Sequence, residues 1–205
     1  AMGRFHYRRA EFSPAADHFQ RAVDTLTRWN PNPRDGEPHY GLGLALQRLN
    51  RDADAYDALY KSTWNYAFQS AAFFQLARLD CKLSNWSAAE DHLRRALAVN
   101  HDHLQARDLL AIVLRRQLRF GDADRLLAET LRLDPLDHWA RHIAGKPFTA
   151  GLQVALDIAW DLTHAGMLAE AVTLLEHAQP PENPEKTAPA ASASSNPDLG
   201  SPLLA

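Results

Sequence analysis

The chain has 205 residues, 46% of them apolar and 23% charged, with 22 Lys and Arg against 25 Asp and Glu for a net charge of −3. That is the composition of a globular protein with a sizeable core, and its slight acidity argues against a general nucleic-acid binder. A single cysteine, Cys81, excludes a disulfide framework and a Cys-based zinc site, and no apolar run reaches the roughly 18 residues of a membrane span.

The opening AMGRFHYRRAEF lacks the apolar stretch of a signal peptide. Ala1 and Met2 read as a cloning remnant, so the chain is expected to be a piece of a longer, cytoplasmic protein. Alanine is abundant while glycine numbers only nine, which favours helices packed closely on helices. A first unit, 1–29, places Gly3, Ala15, Phe19 and Ala22 at intervals that recur downstream. NPNPRD (30–35) then breaks the helical pattern with two prolines and reads as a turn.

The next three units, 36–69, 70–103 and 104–137, superimpose at a spacing of 34 residues. Each has a small residue (Gly43, Ala77, Ala111), then an alanine (Ala55, Ala89, Ala123), then a leucine (Leu59, Leu93, Leu127), and finally Ser62, Ala96 or Thr130. An insertion at 138–151 carries about two helical turns closed by Gly145 and Pro147. A fifth unit, 152–185, repeats the template with Ala159, Ala171, Leu175 and Ala178. After Ala178 the composition turns to Pro, Ala and Ser, and 186–205 is expected to be a flexible tail or linker.

This register resembles the tetratricopeptide repeat, two antiparallel helices per 34 residues. Small residues at the crossing points let the paired helices approach, while the large one fills the gap toward the next pair. The fold expected is all-α: a right-handed superhelical solenoid of about five helix-turn-helix pairs with one short inserted helix. NPNPRDGEPHYGLGLAL, LYKSTWN and LRLDPLDHWARH also resemble segments of an uncharacterised bacterial family. In that family a β-rich N-terminal domain of unknown function precedes the repeats. The resemblance implies a repeat region cut from a larger protein and no activity of its own.

No catalytic pattern stands out, and neither a cofactor nor a metal site is expected. GLGLAL at 41–46 lacks the spacing of a phosphate loop and sits inside a repeat helix. His138 and His142 share a helix face but lack the glutamate of the zinc-protease motif. His101 and His103 flank a turn and read as surface or capping groups, and lone Cys81 reads as packing. Asn85-Trp86-Ser87 matches a glycosylation acceptor, with Trp86 better read as opening a helix.

The architecture exposes a concave groove lined by the first helix of each pair. The template places Arg4, Tyr7 and Arg8 there from the first unit, then Glu37, Tyr40, Leu44, Gln47 and Arg48 from the second. Phe74, Arg78, Cys81 and Lys82 follow from the third, and Asp108, Ile112, Arg115 and Arg116 from the fourth. The fifth contributes Trp160 and His164. Basic and aromatic side chains together suit an extended, acidic, partly apolar segment, with arginines for carboxylates and aromatics as anchors. The function expected is a non-enzymatic interaction scaffold for a protein or peptide segment. The alternative is a structural module that packs on another domain of the parent chain or on its own copy, accessory to carbohydrate chemistry of the missing domain. Chaperone-tail binders hold asparagine where Arg4, Leu44, Arg78, Ile112 and Trp160 stand here, which speaks against that role. The oligomeric state is left open.

Overall fold

A computed structural model of the chain describes residues 1–30, 33 and 35–178; the tail at 186–205 and part of the 30–35 turn lie outside these. Among the described residues there are eleven α-helices and no strand. They form five antiparallel pairs: α1 (Met2–Arg8) with α2 (Phe12–Thr27), α3 (Glu37–Arg48) with α4 (Asp52–Ser62), and α5 (Tyr66–Lys82) with α6 (Trp86–Val99). The last two pairs are α7 (Leu104–Arg116) with α8 (Phe120–Leu133) and α10 (Leu152–His164) with α11 (Leu168–His177). The short α9 (His138–Ile143) stands between them. The fold is an all-helical repeat solenoid.

Steric demand at the helix crossings explains the recurring small residues. A Cβ on Gly43 would fall 2.5 Å from Leu59 of the paired helix, so α3 and α4 can meet there only without one. Ala55, Ala77, Ala89, Ala111 and Ala123 are all fully buried at the equivalent crossings. The large residues between them, Leu59, Leu93 and Leu127, are at most 2% exposed, and each such side chain contributes roughly 1.5–3 kcal/mol by leaving water. Side-chain caps set three helix starts: Asn65 accepts from the Ala67 N–H, His103 from Ala106, and Asp137 from both Trp139 and Ala140.

The turn inside each of the first four pairs contains a residue with positive φ: Ala10, Asn50, Ser84 and Leu118. The fifth uses Gly166. This left-handed residue closes the first helix, and its neighbour donates back to the preceding turn, as Arg119 N–H does to Leu114 O at 2.9 Å.

The pairs do not all stack in one line. The first four pack successively, α2 on α3, α4 on α5 and α6 on α7. The inserted α9 then lies against α7 and α8, and α10 reaches back to α5. The fifth pair therefore folds into the concave side of the preceding ones.

Candidate functional site

The concave face divides into an open half and an occupied half. The open half is a cavity of about 320 Å³ between α1, α2, α3 and α5, walled by Tyr7, Phe19, Tyr40, Leu44 and Phe68. Gly41 lets the Phe19 ring pack against α3 in this wall, because that ring occupies the space a Cβ there would need. The Tyr40 and Phe68 rings lie 5.4 Å apart, and burial raises the Tyr40 phenol above its usual pKa, so it stays a neutral donor. Arg4 and Arg8 stand at the rim. Arg4 is paired with Glu37 at 2.9 Å, whereas Arg8 is exposed. A second cavity of about 190 Å³ continues from Tyr7, Tyr40 and Leu44 toward Gln47, Arg48 and Lys82.

The occupied half holds the fifth pair. Arg48 lies over the Trp160 ring at 4.9 Å, reaches the Tyr7 hydroxyl at 3.4 Å and contacts His164. Nδ1 of His164 sits 2.7 Å from the Trp160 carbonyl and must donate to it, which leaves Nε2 to accept from Arg48. The imidazole is thus neutral, consistent with burial pulling its pKa below the ordinary value and the Arg48 charge adding to this. Asp161 faces Arg78 at 3.7 Å and accepts from Gln105 at 3.0 Å. Glu170 pairs with Arg116, and Gly166 sits against the Lys82 backbone.

Several residues expected in an open groove lie elsewhere. Phe74 is 4% exposed, its ring tilted against that of His103 at 4.9 Å. Arg78 is 7% exposed because α10 covers it; burial is also the first cause of its lowered pKa. Asp108 is 1% exposed, covered by the start of α9, where its carboxyl lies near that of Asp137 and pairs with no arginine. Burial, then the Asp137 charge, raises its pKa well above the carboxylate range. Arg115 donates to the Ile143 carbonyl at 2.6 Å and to Asp124 at 3.1 Å, so it ties α7 to α9 and α8. Lys82 donates to Asp52 at 2.6 Å. Cys81 is buried, and its thiol is pushed up to about 12 by the loss of solvent, which removes thiolate reactivity.

The histidine pairs also have structural roles. His103 caps α7, and Arg107 donates to the His101 carbonyl at 2.8 Å. His138 and His142 rest near the Phe148 ring at 6.0 and 6.3 Å, and burial lowers the His142 pKa. Trp86 starts α6, with Arg116 over its ring at 5.9 Å.

The sequence reasoning missed Asp161 and Glu170, which bring the fifth pair into the groove. Their signal was present: opposite charge to Arg78 and Arg116, placed just after an insertion that breaks the 34-residue period.

No family model matches the chain. Its fold is similar to the crystal structure of MamA, at 19% identity over 87% of this chain and 92% of that one, with a TM-score of 0.58. A MamA RS-1 double mutant aligns at 14% identity over 86% and 88%, with a TM-score of 0.57. The nearly identical TPR-like repeats of a Podosopora anserina protein described as a kinesin light chain align at 17% identity over 86% and 89%, with a TM-score of 0.53. These likenesses establish a tetratricopeptide-type repeat fold. Among the described residues no helix is long and apolar enough to cross a membrane.

Proposed function

We propose that this chain is a non-enzymatic protein-interaction module that binds an extended, acidic and partly apolar segment in the open half of its concave face. The observation that carries this reading is the aromatic cavity between α1, α3 and α5 with exposed Arg8 at its rim. Preformed apolar walls with a few cationic groups suit one or two anchor side chains followed by carboxylates. The contacts in the occupied half support the same chemistry, since Trp160, Asp161 and Glu170 are an aromatic and two acids that meet Arg48, Arg78 and Arg116.

The test is selection from a random peptide display library with the whole chain. Enriched peptides should combine an aromatic or large aliphatic residue with neighbouring acids. Joint Arg8→Glu and Leu44→Glu substitution should weaken their binding at least tenfold, which corresponds to about 1.4 kcal/mol. Peptides without acids, or binding indifferent to both changes, would overturn the reading.

A second reading, a structural module that packs on another domain of the same parent or on a second copy, draws support from one feature. The groove already accommodates part of its own chain. Under that reading a β-rich neighbouring domain, supplied in trans, competes with the selected peptides.

A further inference from the structure

We propose that the second concave cavity, walled by α1, α3, α5 and α10, is a binding site for a phosphoryl group, free as phosphate or carried as a monoester. The cavity measures about 190 Å³, and among the described residues no acid lines it, whereas Arg48, Arg78 and Lys82 all do. It adjoins the aromatic cavity, but an anion here needs no peptide there, so either reading can fail alone.

Two of these cations lack a close carboxylate, which is costly for charge taken out of water. Arg48 meets neutral groups: the Tyr7 hydroxyl at 3.4 Å, Nε2 of His164 and the face of the Trp160 ring. Arg78 is 7% exposed, yet the carboxylate it faces, that of Asp161, stands at 3.7 Å, beyond hydrogen-bond distance. It donates instead to the neutral Gln75 side chain at 3.3 Å. The two guanidiniums also act on each other. Burial is the first cause of the lowered Arg78 pKa, Asp161 offsets part of it, and the Arg48 charge deepens it. Like charges gathered on one small cavity repel unless an anion joins them.

The charge to be matched selects the ligand. Lys82 is already paired with Asp52 at 2.6 Å, so the excess belongs to Arg48 and, shared with Asp161, to Arg78. One carboxylate supplies a single charge and is satisfied by one bidentate guanidinium. A phosphoryl group carries about −1.5 to −2 at pH 7 and three acceptor oxygens, enough for guanidiniums from two helices. Gln47 and the Tyr7 hydroxyl, which accepts from Arg48 and keeps its own proton to give, add neutral donors on the same wall.

The test is isothermal titration of the whole chain with inorganic phosphate and with O-phospho-L-serine, against acetate at equal ionic strength as the singly charged control. At least one of the two phosphates should bind with a Kd on the order of 1 mM or lower, and acetate at least tenfold more weakly. Tighter binding of O-phospho-L-serine assigns a phosphorylated side chain, and tighter binding of phosphate assigns the free ion; either supports the site. Arg48→Gln should weaken binding at least tenfold, whereas Arg125→Gln, at an exposed arginine that lines neither concave cavity, should leave it unchanged. Gln47→Glu, which sets an acid on the same wall, should weaken it as much and serves if loss of Arg48 releases α10. Absence of binding by both phosphates, acetate binding as tightly, or affinity unchanged in the Arg48 and Gln47 variants would each overturn the site.

Discussion

The guanidinium of Arg48 lies 4.9 Å above the Trp160 ring, joining the end of α3 to α10 across the concave face. Trp160 is 56% exposed, so this cation–π contact contributes near the lower end of the range, about 1 kcal/mol. Asp161 beside it is the acid nearest the buried Arg78. Trp160→Ala should therefore raise the rate of hydrogen exchange of α10 and α11 amides about fivefold and leave α5 and α6 unchanged. Asp161→Asn should do the same, because it removes the charge facing Arg78. Equal protection in both variants would mean that these contacts do not hold the fifth pair in place.

The repeat register could be read from the sequence because it records a steric fact. Gly43, Ala77 and Ala111 must be small where helices cross, and Leu59, Leu93 and Leu127 must fill the space between. These demands are local and recur every 34 residues. The occupied groove is different in kind. It depends on α9 turning the chain and on pairs such as Arg78 with Asp161 and Arg116 with Glu170, which no periodicity encodes. Position-by-position transfer of the template therefore placed Asp108 in an open groove, while the inserted α9 covers it. Tyr7, Arg8, Tyr40 and Leu44 remained on the open cavity, which no residue of α9, α10 or α11 lines.

Two glycines allow the docking of the fifth pair to be measured in stability. Gly145 and Gly166 both have φ +72°, so alanine at either suffers the left-handed penalty of about 1–2 kcal/mol. At Gly145 a Cβ would meet open space, but at Gly166 it would lie 3.0 Å from the Lys82 Cα, a backbone atom that cannot swing aside. In urea unfolding, Gly166→Ala should cost about 1 kcal/mol more than Gly145→Ala. Equal costs would show that the turn of the fifth pair is not seated on the end of α5.

Leu118 pays the same backbone penalty without any return in packing. Its φ is 62° and its side chain is 76% exposed at the turn between α7 and α8. The turn itself is held by main-chain bonds, Leu118 N–H to Arg115 O at 3.0 Å and Arg119 N–H to Leu114 O at 2.9 Å. Leu118→Gly should keep these and stabilise the chain by about 0.5–1 kcal/mol, net of the greater freedom of glycine when unfolded. A lower urea midpoint in the variant would mean that the exposed leucine makes a contact worth more than the strain.

Asp108 makes stability depend on pH in a direction opposite to that of a salt-bridged carboxylate. Its folded pKa is raised well above 3.8, by burial first and by Asp137 second. Between the unfolded value and the raised folded value the native chain holds more protons than the unfolded one, so this group's contribution is full at acid pH and is lost as pH rises through that window. Asp108→Asn keeps a neutral donor facing Asp137 and removes the titration. The variant should melt several degrees above the parent at pH 7, with ~1 kcal/mol corresponding to roughly 2–4 °C in a chain of this size. The two melting temperatures should converge as the pH approaches 4. An asparagine variant that melts below the parent at pH 7 would show that the Asp108 charge is compensated in the native state, by Arg107 or by water reaching the start of α9.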